Sequence, residues 1–336
     1  MKILDILTSP WAILPEKYAE IMEIYFTHLR REKIDIKGIE ERIGRKLENK
    51  EQGYENIQGV GVIPINGIIA KRMNMFSEIS GGVSTQLIAR DFKEAMNDPG
   101  VRAILLDIDS PGGTVDGTQE LANMIYESRK RKPITAFTDG MMTSAAYWIG
   151  SAADEIYISG DTTQVGSIGV VASHVDVSKA EERAGMKTTE IVAGKYKRIA
   201  SRHAPLSEEG KATLQEMVDY LYEVFIGDVA KSRGVNEQKA LKMADGKIFI
   251  GKQAVRAGLV DGVSTFSQVV EKLERGEVVE RENHALDFIK SREDKETKKK
   301  RLIEEYQKAN PDVSLKEATL AVAKANPKLF RWGSSI

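Results

Sequence analysis

From Val60 to Asp261 the chain alternates short apolar runs with stretches of helical periodicity, and this alternation limits the folds open to it. Residues 60–65, 103–108, 134–137, 155–158, 168–172 and 188–192 are rich in Val, Ile, Thr and Ala and are bounded by turn residues, so they read as strands. Residues 84–96, 117–131, 144–153, 178–184, 208–233, 236–243 and 251–257 read as helices. Gly258-Leu259-Val260-Asp261 reads as a terminal strand and turn. Strand runs interleaved with helices are the signature of an α/β domain.

The flanks differ in texture. Residues 15 to about 46 read as two amphipathic helices, with Ile21, Ile24, Tyr25, Phe26 and Leu29 forming an apolar stripe. Residues 49–59 are polar and read as a linker. After Leu273 the chain becomes strongly charged and carries Lys298-Lys299-Lys300-Arg301. Lys308-Ala309-Asn310-Pro311 recurs as Lys324-Ala325-Asn326-Pro327, and Asn-Pro stops a helix, so two short helices joined by a kink are expected. The basic run reads as a solvated helix face, with a scaffold or nucleic-acid contact as the alternative. The resulting division is a helical arm and linker over 1–55, a core over 56–273 and a charged helical extension over 274–336.

Composition excludes more than it selects. A chain of 336 residues can bury a substantial core. Its 49 Lys and Arg against 50 Asp and Glu leave no global field that would favour nucleic acid or an anionic membrane. With no cysteine, thiolate nucleophiles, thiolate metal sites and disulfides are absent. The four histidines, His28, His174, His203 and His284, lack metal-ligand spacing and supply a histidine-based triad poorly. Asp5 and Pro10 interrupt the N-terminal apolar stretch, and no run approaches the roughly 18 apolar residues of a membrane span. A soluble, cytoplasmic protein is expected.

The chemistry concentrates at turns. Asp109-Ser110-Pro111-Gly112-Gly113 ends a strand, and paired glycines let main-chain N–H groups face outward, as an oxyanion hole requires. Thr143-Ser144-Ala145-Ala146-Tyr147 places a hydroxyl at a predicted helix start, where the macrodipole favours a developing alkoxide. A helix cap is the ordinary role of such a serine. The small residues after Ser144, the nearby Gly-Gly and a candidate base argue for a nucleophile. That base is offered by Gly194-Lys195-Tyr196-Lys197-Arg198, where either lysine, placed in apolar surroundings, could act as a neutral amine. Both are otherwise ordinary surface lysines. Ser167, in Gly166-Ser167-Ile168-Gly169-Val170, is either a turn residue or a hydrogen-bonding partner that orients the amine. His203, near Lys197 in sequence, is a minor candidate for the substrate rim.

In order and spacing, Ser-Pro-Gly-Gly at 110–113, Thr-Ser-Ala-Ala-Tyr-Trp at 143–148, Ala-Ala-Asp at 152–154, Val-Gly-Ser-Ile-Gly-Val at 165–170 and Gly-Lys-Tyr-Lys at 194–197 resemble the S49 peptidases. That is the signal peptide peptidase A, or protease IV, family, and the same segments are similar to its phage relatives, the capsid-assembly proteases of the lambda C type. The closing segment, Ala244-Asp245-Gly246-Lys247-Ile248-Phe249 through Asp261, agrees. Coverage runs from about Val60 to Leu273. The resemblance implies a ClpP/crotonase-type spiral of ββα units, with Ser144 as nucleophile and Lys197, rather than Lys195, as general base. It also implies an oxyanion hole from the N–H groups of Gly113 and Ala145, with Gly112 shaping the turn. Arg198, directly after the lysine, departs from the family pattern and sets a second cation beside the base.

The resemblance further implies a serine endopeptidase with a Ser-Lys dyad and no cofactor or metal, acting on peptide or protein substrates. With one copy of the core, a homo-oligomeric ring with shared active sites is expected. The flanks look most like prophage-encoded members, so a head-maturation protease with scaffold, portal or capsid partners is the first reading. A cytosolic signal-peptide-peptidase-like protease is the second. A structural assembly protein with a vestigial peptidase core and a crotonase-type acyl-CoA enzyme are the rivals. A lysine base predicts activity rising toward alkaline pH.

Overall fold

The computed structural model describes residues 10–19, 21–22, 53–72, 82–277 and 285–326. Two strands, β1 (Trp11–Ile13) and β2 (Glu55–Ile57), precede a repeating pattern. Its first unit is β3 (Val60–Asn66) and β4 (Ile69–Ala70), then β5 (Val83–Ser84) and helix α1 (Thr85–Asn97). The second is β6 (Ala103–Asp109), β7 (Gly112–Thr114) and α2 (Thr118–Ser128). The third is β8 (Ile134–Thr138), β9 (Met141–Thr143) and α3 (Ala145–Ser151). The fourth opens with β10 (Glu155–Ile158) and β11 (Gln164–Gly166). An excursion comes next, through α4 (Ser178–Arg183), α5 (Glu208–Arg233) and α6 (Glu237–Met243). The core closes with β12 (Ile248–Ile250), α7 (Lys252–Ala257), β13 (Gly262–Val263) and α8 (Phe266–Glu274).

In every unit the first strand joins a six-stranded sheet, ordered β13-β10-β8-β6-β3-β2, and the second joins a smaller one, β1-β7-β4-β5 or β12-β11-β9. Strand, offset strand, helix, repeated along the chain, is the expected ββα spiral. All neighbours in the large sheet are parallel except β2 with β3. Side chains alternate across a strand, and both faces of this sheet are covered. Ile63, Ile65, Ile104, Leu106 and Ile108 face the main core with α1, α2, α3 and α5. Val60, Val62, Ala103 and Leu105 face α8 through Val269, Val270 and Leu273.

Helix ends obey local chemistry. Ser84, Ser207, Asn236 and Thr265 accept backbone N–H bonds at N-termini, and Gly234 and Gly258 take the left-handed conformation at C-termini. In the tail, α9 (Ala285–Ala309) and α10 (Leu315–Ala325) meet at Asn310-Pro311, as the repeat predicts, with a capping box between Ser314 and Glu317. Residues 15–19 and 21–22 are helical; the rest of the expected N-terminal helices lies outside the described residues. No helix among the described residues is long and apolar enough to cross a membrane.

Four sequence expectations change. The closing strand is Gly262–Val263 rather than part of 258–261, because those residues form the turn that leaves α7 at the left-handed Gly258. Residues 49–59 are not all linker, because Glu55–Ile57 pairs with β3. The fourth offset strand is Gln164–Gly166 rather than 168–172, because Ser167 turns the chain at φ +50° and ends the ladder with β9. Residues 188–192 form no strand: Ile191 is 97% exposed, and no strand of the described chain lies beside it to supply hydrogen bonds.

Candidate active site

Ser144 leaves β9 with φ +58° and ψ −120°, angles that a residue with a Cβ rarely adopts. Such strain persists only where surrounding contacts over-determine it. Here Ser144 N donates to Gly166 O at 2.7 Å and Trp148 N donates to Ser144 O at 2.9 Å. The short helix α3 that starts here is held on all sides. Trp148 stacks on Phe225 with centroids 4.3 Å apart, and its Nε1 donates to Asp228 Oδ2 at 3.1 Å. Tyr147 donates to Leu259 O at 2.8 Å. The Arg129 guanidinium donates to the carbonyls of Ser151, Ala152 and Ala153 and so closes the helix's C-terminal end. Ser144 is 1% exposed, and its side chain makes no capping bond to α3.

Gly112 and Gly113 are glycines because backbone approaches closely from two directions. A Cβ on Gly112, whose φ is +103°, would lie 2.3 Å from Ala12 O and 2.9 Å from Ser144 Cβ. A Cβ on Gly113 would lie 1.8 Å from Ile69 O. Ser110 Oγ locks the turn, accepting from Gly112 N at 3.2 Å and donating to Gly67 O at 2.6 Å. The Gly-Gly corner is therefore pressed against Ser144, as the motif order implies.

Ser167 is the second strained serine, at φ +50°, with its N–H donating to Lys247 O at 2.7 Å. Because Thr143 pairs with Gly166 in the parallel ladder of β9 and β11, Ser144 and Ser167 leave adjacent strands at one level. Ala145, first residue of α3, is fully buried behind Ser144.

Lys197 stands apart. It is exposed, on a turn in which its N–H donates to Gly194 O at 3.1 Å. Among the described residues no hydrogen bond or ion pair joins it to Ser144. Its neighbours are engaged: Lys195 pairs with Glu209 at 2.7 Å and Arg198 with Glu190 at 3.5 Å. Lys197 itself makes no ion pair among the described residues. Both described histidines have structural partners, His203 with Glu181 at 2.8 Å and His174 with Ser201 O at 2.9 Å. His28 and His284 lie outside the described residues. No group of three or more His, Asp or Glu among the described residues is placed to hold a metal.

Sequence reasoning missed β1. It runs antiparallel along β7, with Ala12 opposite Gly113 and Ile13 opposite Gly112. Its other edge bonds to Val171, Trp11 N to Val171 O at 2.9 Å and Val171 N to Trp11 O at 2.8 Å. A three-residue strand has no period to detect. Only the apolar cluster Trp11-Ala12-Ile13-Leu14, ahead of a charged helical stretch, could have signalled it.

The comparisons with known proteins give the family. The profile of peptidase family S49 matches residues 127–280. A protein of Enterococcus faecium assigned as signal peptide peptidase SppA is 30% identical over 254 residues, 73% of this chain and 72% of that protein. Capsid assembly protease C of Escherichia phage lambda is 31% identical over 210 residues, 62% of this chain and 47% of that protein. A protein of Methanocaldococcus jannaschii assigned as a protease is 38% identical over 178 residues, 53% of this chain and 57% of that one. The chain thus spans about half the length of the latter two relatives. With a ββα spiral, a strained serine against a Gly-Gly corner, and similarity that extends over most of the E. faecium protein, the chain belongs to peptidase family S49.

Proposed function

We propose that the protein is a serine endopeptidase in which Ser144 is the nucleophile and Lys197 of a neighbouring copy is the general base. Ser144 Oγ attacks the substrate carbonyl while the neutral amine of Lys197 takes the hydroxyl proton. The N–H groups of Gly113 and Ala145 hold the oxyanion, and Lys197 returns the proton to the leaving amine. Ser167 directs the amine. The chemistry needs neither metal nor organic cofactor.

One observation carries this reading: a nearly buried serine at φ +58°, in contact range of a glycine corner that tolerates no Cβ. Sharing between copies is supported by Lys197 lying exposed, without an ion pair among the described residues, on a segment with Ile191, Val192 and Tyr196 also exposed. Apolar residues on an exposed segment are what a protomer interface would cover. A ring is the closed arrangement that gives every Ser144 a neighbour's lysine.

Biologically, head maturation of a phage or prophage is the first reading, supported by the similarity to capsid assembly protease C of phage lambda and to head-tail preconnector protein GP5 of phage P21, at 31% identity each. The similarity to the E. faecium protein supports clearance of signal peptides as the second. The test is treatment with a fluorophosphonate and then peptide mass mapping. An adduct on Ser144, absent from Ser144→Ala, is expected; folded, assembled protein with no adduct, or with the adduct elsewhere, contradicts the proposal.

A further inference from the structure

We infer that residues 10–14 are the protein's own first substrate, and that Ser144 cuts the Ala12–Ile13 peptide bond. The inference rests on the peptidase reading above and adds a substrate class to it, chains with a small residue at the cut and a large apolar residue before it.

Register places the bond. Leu14 N donates to Pro111 O at 3.1 Å and Val115 N donates to Pro10 O at 3.2 Å, so the pairs 14/111 and 10/115 are hydrogen-bonded pairs of the β1–β7 ladder. Such pairs alternate along an antiparallel ladder. Ala12 with Gly113, midway between them, is then also a hydrogen-bonded pair, and Gly113 N faces Ala12 O. The donor assigned to the oxyanion hole thus already points at a carbonyl oxygen of the chain itself. The same oxygen lies 2.3 Å from the position of a Cβ on Gly112, and Ser144 Cβ lies 2.9 Å from that position. Trp11, between Pro10 and Ala12, turns its N–H and C=O the other way, to Val171. The segment is therefore gripped along both edges, as a peptide added to two open strands would be.

Burial agrees with a seated substrate. Trp11, Ala12, Ile13 and Leu14 are all buried, and Trp11 packs edge-on against Tyr18 at 6.0 Å. The Ala12 methyl is fully enclosed, which sets the small-residue preference at the cut. What the single chain lacks is a base at the bond, since Lys197 is exposed and not joined to Ser144. Arrival of Lys197 from a neighbouring copy completes the site, so the cut comes after assembly.

In the reaction Ser144 Oγ bonds to the Ala12 carbonyl carbon and passes its proton to that lysine. The bond from Ala12 carbon to Ile13 nitrogen breaks, and the lysine returns the proton to Ile13, which becomes a free amino terminus. Water then attacks the ester on Ser144, releases residues 1–12 with a carboxylate on Ala12, and restores the hydroxyl. Loss of that strand frees both edges for substrate in trans.

Intact-mass measurement on the assembled full chain tests this, beside Ser144→Ala and Ala12→Glu and with a synthetic peptide covering residues 8–16. The wild type is expected to begin at Ile13 and Ser144→Ala to keep residues 1–12. The peptide is expected to be cut between its Ala and Ile, and Ala12→Glu to be processed at least tenfold more slowly than the wild type. Wild-type protein that takes up fluorophosphonate at Ser144 yet keeps residues 1–12 and spares the peptide overturns the self-cleavage and leaves the peptidase reading standing. A cut at another bond, or unchanged processing of Ala12→Glu, overturns the assignment of Ala12. Absence of any Ser144 adduct overturns both readings.

Discussion

Ser144 and Ser167 hold backbone angles that favour glycine, and each is fixed by a hydrogen bond of 2.7 Å from its own N–H. Neither angle could be read from sequence. The residues themselves could, because Gly-Gly, Thr-Ser-Ala-Ala and Gly-Ser-Ile-Gly are local motifs whose chemistry is written in adjacent letters. Asp107 was not legible, since its state depends on the ends of β6 and β8 meeting. Burial, then the charges of Asp139 and Asp109, push its carboxyl up to about 6 from an ordinary 3.8. The native state therefore holds a proton that the unfolded chain has released, so this group's contribution to stability falls as pH rises from about 4 to about 6 and stays lost above. Asp107→Asn removes that penalty. Thermal melts should show it more stable than wild type at about pH 7.5 and nearly equal at about pH 4; an equal gain at both contradicts the assignment to titration.

At the scale of elements, the core helices other than α8 were legible to within about three residues, because caps and apolar stripes are local signals. The 208–233 expectation coincides with Glu208–Arg233, between a Ser207 cap and a left-handed Gly234. The offset strands β1, β7, β9 and β11 were not legible. Each has three residues, too few for a period, and each exists through register with neighbours distant in sequence. Residues 188–192 show the converse error, where β propensity without a partner strand yields none. The element most exposed to test is α3, which presents Ser144 at one end and is closed by Arg129 at the other. Arg129→Ala leaves three carbonyls short of a charged donor. It should cost about 2–4 kcal/mol in urea unfolding, each bond to a charged group contributing about 1.5–3 kcal/mol less whatever water recovers. A change below about 0.5 kcal/mol would show that the cap does not hold the helix.

At the scale of the molecule, the spiral gathers the Gly-Gly corner, Ser144 and Ser167 from three successive units, which is why motifs dispersed in sequence converge. Among the described residues no hydrogen bond or ion pair ties Lys197 to them, and residues 191–198, which carry it, are exposed. The proposed Ser-Lys mechanism therefore calls for a second copy. The most direct measurement mixes Ser144→Ala with Lys197→Ala, each inactive alone, and monitors peptide cleavage by verified mixed assemblies. In a closed ring each site draws serine from one copy and lysine from the next, so random mixing should restore on the order of a quarter of wild-type activity. Mixed assemblies that stay at the level of either variant alone would contradict a site shared between copies.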